Sequence, residues 1–171
     1  MAALQKVQVG DLTFRVATPA DEGEIWSIIR DVIGKVGSYV FYPDSSREKM
    51  LKYWLAPEKV VYVAVVNGAV VGTFTLRPNQ PDFGSHIANA SYMVSPNFAG
   101  KGIGKMMGEY SLTEAKRLGY EAMQFNIVIK SNEPAVSLWK SIGFRILGEV
   151  PNAYRHPLLG PTDAYIMYRE L

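Results

Sequence analysis

One run of this sequence leaves the chain little freedom: Val94-Ser95-Pro96-Asn97-Phe98-Ala99-Gly100-Lys101-Gly102-Ile103-Gly104-Lys105. A strand-like segment, Ile87 to Val94, leads into it. The segment that follows carries apolar residues at Ile103, Met107, Tyr110 and Leu118, which is helical spacing. Gly119 stands where a left-handed helix cap is expected. The glycines therefore occupy a strand-to-helix turn, where backbone N–H groups can converge without side chains in the way. The first helical turn adds unpaired N–H donors and the positive end of the helix dipole. The sequence predicts an anion site at Gly100 to Gly104.

Three glycine-rich phosphate motifs compete for this run. A P-loop needs Gly-x-x-x-x-Gly-Lys followed by Ser or Thr, and the two critical positions hold Ala99 and Met106. A dinucleotide fingerprint needs Gly-x-Gly-x-x-Gly, whereas the spacing here is Gly-x-Gly-x-Gly. The third pattern is Arg/Gln-x-x-Gly-x-Gly/Ala after a strand ending Val-x-Pro. It fits Ala99 to Gly104 in all but its first residue. That is the pyrophosphate-binding signature of the GCN5-related N-acetyltransferases (the GNAT family), which the chain resembles. Asn132-Glu133-Pro134-Ala135-Val136-Ser137-Leu138-Trp139-Lys140-Ser141-Ile142-Gly143-Phe144 is similar to that family's second signature, Asn-x-x-Ala-x-x-Leu-Tyr-x-x-x-Gly-Phe. A helix and a strand separate the two, in the family's order.

At 171 residues the chain suits one domain, 1–171, with a substantial core. A formal net charge of +2 without a basic run gives no sign of a nucleic-acid partner. No apolar stretch is long enough to span a bilayer, and Met1 to Gly10 lacks the apolar core of a signal peptide, so cytoplasmic residence without a membrane partner is the expectation. With no cysteine and two histidines, no metal site is expected.

Taken in order, Leu12 to Val16 reads as a strand, and Thr18-Pro19-Ala20-Asp21 starts a helix with a stripe of Ile25, Trp26, Ile28, Ile29 and Ile33. Ser45 with Glu48 predicts a capping box for a second helix, with Leu51, Trp54 and Leu55 inward. Asn67-Gly68 predicts a hairpin between Val60–Val66 and Ala69–Leu76, and Arg77 to Ser85 reads as a loop. Met123 to Ile129 reads as a buried strand interrupted by Asn126, and a helix follows with Ala135, Leu138, Trp139 and Ile142 inward. Phe144–Val150 and Tyr165–Arg169 read as strands joined by a long loop holding Arg155, His156 and Pro157. This α/β (α+β) order is the family's. It implies a mixed, mostly antiparallel sheet with helices on both faces and a parallel pair, 86–94 and 122–129, splayed at the centre.

What the resemblance implies about chemistry is acetyl transfer from acetyl-CoA to the amine of a small molecule, an amino acid or an analogue, directly within a ternary complex. The cofactor's diphosphate would lie on Gly100, Lys101, Gly102, Ile103, Gly104 and Lys105. Ala99, in place of Arg or Gln, removes a side-chain contact but no backbone donor. Pantetheine would run along Val94 and contact Asn132, and the backbone N–H of Met93 or Val94 would face the thioester oxygen. Trp139 replaces the tyrosine that can protonate the leaving thiolate, and an indole cannot do so; Tyr92 and Tyr154 are the candidates left. Tyr39, Phe41 and Tyr42, in the connection that commonly lines the acceptor site, are candidate substrate contacts or simply pin the loop.

Asn126 and Asn89 must find hydrogen-bond partners in the sheet or hold the acceptor. Asn89, Asn126, Asn132 and Trp139-Lys140 together are similar to the branch of the family acting on amino acids and proline analogues such as azetidine-2-carboxylate. Acetylation of a protein amine is the nearest alternative. A non-catalytic acetyl-CoA-binding module is the alternative that Ala99 and Trp139 favour. The resemblance leaves a homodimer open.

Overall fold

The Asn67-Gly68 pair has both residues in the left-handed region, at φ 49° and 79°, which closes a two-residue hairpin. It joins β2 (Val60–Val66) to β3 (Ala69–Pro78) in a computed structural model that describes residues 11–171. Along β2 the side chains alternate: Val61 and Val63 face one side, Tyr62, Ala64 and Val66 the other. Both faces are buried, so helices must cover both.

They do. The remaining elements are β1 (Leu12–Val16), α1 (Glu22–Ile33), α2 (Arg47–Trp54), β4 (Ile87–Val94), α3 (Ile103–Arg117), β5 (Ala122–Ile129), α4 (Glu133–Ser141), β6 (Arg145–His156) and β7 (Gly160–Glu170). The sheet runs β1-β2-β3-β4-β5-β7-β6, antiparallel throughout except for β4–β5. On one face Ile25, Ile28, Ile29 and Ile33 of α1 and Met50 and Trp54 of α2 pack on Val61, Val63 and Met93. On the other, Met107 of α3 and Val136 and Ile142 of α4 pack on Tyr62, Phe74, Met123 and Phe125. Each such side chain contributes about 1.5–3 kcal/mol on leaving water.

Four local expectations need correction. The N-cap of α2 is Ser46, whose hydroxyl accepts from the Lys49 N–H at 3.2 Å, one residue beyond the expected Ser45. The buried stripe of α3 continues through Leu112 and Ala115, while Leu118 is exposed at the C-cap. Gly119 (φ 91°) does close that helix, with Tyr120 N–H on Ala115 O and Gly119 N–H on Lys116 O, each at 3.0 Å. On α4 it is Val136 that is buried with Ile142, while Ala135, Leu138 and Trp139 are half-buried.

The fourth is the predicted long loop before the last strand, which is instead a continued hairpin. β6 and β7 pair as far as His156↔Gly160, with register shifts between Ile146 and Gly148 and between Val150 and Tyr154. His156 Nδ1 accepts from the N–H groups of Leu158 and Leu159 at 3.1 and 3.2 Å, so this histidine closes a turn.

The start of α1 is anchored by charge. Arg15 donates twice to the buried Asp21 carboxylate, at 2.7 and 2.8 Å, and the Thr18 N–H donates at 2.7 Å. The Arg15 bond, then the Thr18 bonds, outweigh burial and hold the Asp21 carboxyl well below the usual carboxylate range. A depressed carboxylate stabilises the fold above its unfolded pKa, and that stability is lost as pH falls through the folded one. Asp21→Asn should cost about 2–3 kcal/mol at neutral pH. In pH-dependent thermal melts, the gap to the wild type should narrow as acid is added below about pH 4.

Candidate functional site

After Val94 the chain makes a one-turn helix, Pro96–Phe98, and then the glycine turn. Gly100 and Gly102 take φ 74° and 79°, the region that a side chain at Cβ disfavours. Gly102 is itself the N-cap of α3, and among the described residues no side chain caps that helix and no acid sits in its first turn. The leading N–H groups of α3 thus keep their donor capacity and positive potential. These features fit a CoA diphosphate. Lys101 and Lys105 flank the turn, Lys101 over the Phe98 ring at 4.9 Å and Lys105 4.0 Å from Glu109. Ala99 donates its N–H to Pro96 O at 3.3 Å.

Beside the turn the sheet opens. β4 and β5 pair only at Ile87↔Ala122 and Ala88↔Met123. Further along, β5 shifts register against β7 between Phe125 and Val128, an irregularity that bends the strand away and turns Asn126 out of the ladder. On the other bank, the Tyr39 hydroxyl donates to Tyr92 O at 2.5 Å and accepts from Tyr92 N–H at 2.9 Å. Withdrawal from water raises the Tyr39 phenol well above its ordinary pKa, so it keeps its proton at neutral pH.

That contact fixes which amides face the gap. Successive residues of a strand direct their backbone groups to opposite neighbours. Tyr92 spends both of its groups across the gap, whereas Ser95 N–H reaches Val71 O at 2.8 Å and Ile87 O receives Asn79 N–H at 2.7 Å, both on the β3 side. The odd-numbered residues of β4 therefore belong to β3. Met93, offered above as an amide donor, directs its N–H to β3 and away from the gap; Val94 faces the gap.

A cavity of about 430 Å³ runs through the opening. Val94, Asn132, Ala135 and Trp139 line one part, and Arg77, Asn89, Asn126, Tyr39, Phe41 and Tyr53 line another. Asn132 also caps α4, its Oδ1 accepting from Ala135 N–H at 3.4 Å. Trp139 stacks among aromatic rings, 4.7 Å from Tyr92 and 4.8 Å from Phe125 between centroids. Phe41 packs edge-on to Tyr53 at 4.9 Å. Tyr42 lies outside the cavity and is 74% exposed.

Neither remaining tyrosine offers its hydroxyl proton to this cavity. Ser111 Oγ donates to Gly108 O at 2.7 Å, so the Tyr92 hydroxyl, 2.7 Å from Ser111, is the donor of that pair. Burial raises its pKa well above the ordinary value. Tyr154 accepts from the Gly37 N–H at 3.2 Å and does not line the cavity.

The two asparagines meet through a residue the sequence reading placed in a loop. Asn79 Oδ1 accepts from Asn89 Nδ2 at 3.1 Å and from Asn126 Nδ2 at 2.8 Å, and Gln124 Nε2 donates to Asn126 Oδ1 at 3.0 Å. Asn89 is buried, but Asn126 is exposed, contrary to its place in an apolar run. Asn79, Arg77 and Tyr53 were missed. Arg77 pairs with Asn89 in the β3–β4 register, which shows only once the strands are aligned.

Residues 20–144 match the Acetyltransferase (GNAT) family. The chain belongs to that family. The fold of this GNAT protein superposes on the GCN5-related N-acetyltransferase from Kribbella flavida with a TM-score of 0.88 and 35% identity, covering 94% of this chain and 98% of that one. N-acetyltransferase aca1 of Schizosaccharomyces pombe is 36% identical over 101 residues, which is 57% of this chain and 47% of that protein. Protein SPT10 of Saccharomyces cerevisiae is 29% identical over 83 residues, 48% of this chain and 13% of that one. The GNAT chain thus spans less than half the length of either curated relative.

Proposed function

We propose that this protein transfers acetyl from acetyl-CoA to the amine of a small molecule, an amino acid or close analogue. One observation carries the reading: a cavity passes through the opened strand pair, lined at one part by Val94, from which the chain runs on into the turn with uncapped helix amides, and walled at another by linked carboxamides. The amides of Gly100 to Gly104 hold the diphosphate. Pantetheine lies along β4 and takes Val94 as an added strand would, with Asn132 beside it.

The acceptor nitrogen forms a bond to the thioester carbon, the carbon–sulfur bond breaks, and the sulfur leaves as thiolate. A gap-facing amide of β4, nearer the carboxamides than Val94, stabilises the oxygen as it gains charge, more in the transition state than before it. Asn126 and Asn89 hold and orient the amine. Asparagine is no base, so water takes the proton. Without a cysteine in the chain, transfer is direct rather than through an acyl-enzyme.

The test is thiol release from acetyl-CoA with purified protein and a panel of amino acids. Turnover on at least one amino acid is expected, and Asn126→Ala should lower kcat/KM for it about 10- to 100-fold without weakening CoA binding. Tight CoA binding with no turnover on any amine would identify a sensor; turnover only on peptides would identify a protein acetyltransferase.

A further inference from the structure

Arg77 is the charged side chain of the cavity that the chemistry above leaves unused. It stands opposite Asn89 on β3, on the sheet face that carries the asparagines, and is half-buried. Asn89 and Val94 stand five positions apart on β4, about 17 Å of strand, which removes Arg77 from the diphosphate turn.

Other arginines near carboxylates are paired: Arg15 with Asp21, Arg47 with Glu22, Arg117 with Glu114. Among the described residues no carboxylate lies within ion-pair distance of Arg77, whose guanidinium makes one long bond, 3.4 Å, to Pro78 O. Its neighbours are cations. Lys49, Lys52 and Lys59 line an adjoining depression with it, against Glu58 alone. Burial first, and then repulsion from Arg77, depress Lys59 to about 8. A half-buried guanidinium without a counter-charge, in a positive field and facing a cavity, is built to receive an anion.

The adjoining amides complete a pattern. Asn89 and Asn126 each give one Nδ2 hydrogen to Asn79, and no donor among the described residues reaches Asn89 Oδ1, which is left as an acceptor for a ligand N–H. An N–H-accepting oxygen beside a forked cation matches a molecule with an amine close to a carboxylate. We propose that Arg77 is the specificity-determining residue of the acceptor site, taking the acceptor's carboxylate and excluding cationic amines such as polyamines and lysine side chains. The inference rests on the reading of this cavity as the acceptor site.

The experiment compares α-amino acids with their α-amides, which keep the amine and lose the carboxylate charge. Binding to the CoA-loaded protein is followed by calorimetry, and transfer by thiol release. The wild type should favour the acid over its amide, and Arg77→Met should erase that preference, lowering affinity for the acid about 10- to 100-fold. Arg77→Lys should restore part of it, and this variant carries the test if the methionine variant does not fold. Amides bound and acetylated as well as acids, or a preference that survives Arg77→Met, would overturn the role of Arg77 while leaving acetyl transfer in place. Arg77-dependent binding of acids without transfer would uphold the anion site and sink the transfer reading. Neither binding nor transfer of any acid would sink both.

Discussion

Replacing Gly102 with valine should remove measurable CoA binding from a protein that still folds. Gly102 sits at φ 79° and ψ 1° and is the N-cap of α3, so its conformation aims the first amides of the helix. A Cβ built there meets nothing within 4 Å, so the failure is not a clash. It is torsional: a β-branched residue at positive φ is strained by about 1–3 kcal/mol and relieves the strain by rotating the backbone. Rotation redirects the N–H groups of Ile103 and Gly104. Hydrogen bonds to a charged group are each worth about 1.5–3 kcal/mol, so losing two lowers affinity about 100-fold or more. Calorimetric titration with CoA checks it, and near-normal affinity would contradict the assignment of the turn.

The second large effect is expected at Trp139. Its ring lies 4.7, 4.8 and 6.0 Å from those of Tyr92, Phe125 and Phe144, and a Cβ on Gly108 would come within 3.1 Å of it. It therefore wedges α4 against α3 while walling the cavity. Trp139→Ala should cost about 2–4 kcal/mol, somewhat under a fully buried site because the ring is half-buried. The melting temperature should fall by about 5–15 °C, with a loss of CoA affinity as the wall recedes. Trp139→Tyr keeps an aromatic ring in place and should hold most of the stability; an equal loss in both variants would mean that the ring does not support this wall.

The glycine turn, the second signature and the order of elements were legible because each is local. A strand end, two glycines and an apolar helical stripe announce themselves within a dozen residues. The hairpin at Asn67-Gly68 and the Gly119 cap were readable for the same reason. Asn126 reads as buried because Phe125, Ile127 and Val128 surround it in sequence; the register shift between Phe125 and Val128 turns it outward. The β6–β7 hairpin reads as a long loop holding Arg155, His156 and Pro157, in a stretch where Pro151, Pro157 and Pro161 break the strand pattern. β6 is an edge strand, and β7 before Asp163 pairs with β6 alone, so Pro151 and Pro161 break no ladder on their free side. Arg77 and Asn79 were invisible because their partners are set by β3–β4 alignment across the sheet. The direction of the Met93 and Val94 amides is a matter of strand parity, which depends on where the Tyr39 hydroxyl lands.

The most direct measurement is a titration of isotope-labelled protein with CoA, following backbone amide resonances. The amides of Gly100 to Gly104 and of Val94 should move together and saturate at one affinity. If they stay in place while CoA binds, the diphosphate is held elsewhere, and the acetyl-transfer reading of the turn and the opened strands is wrong.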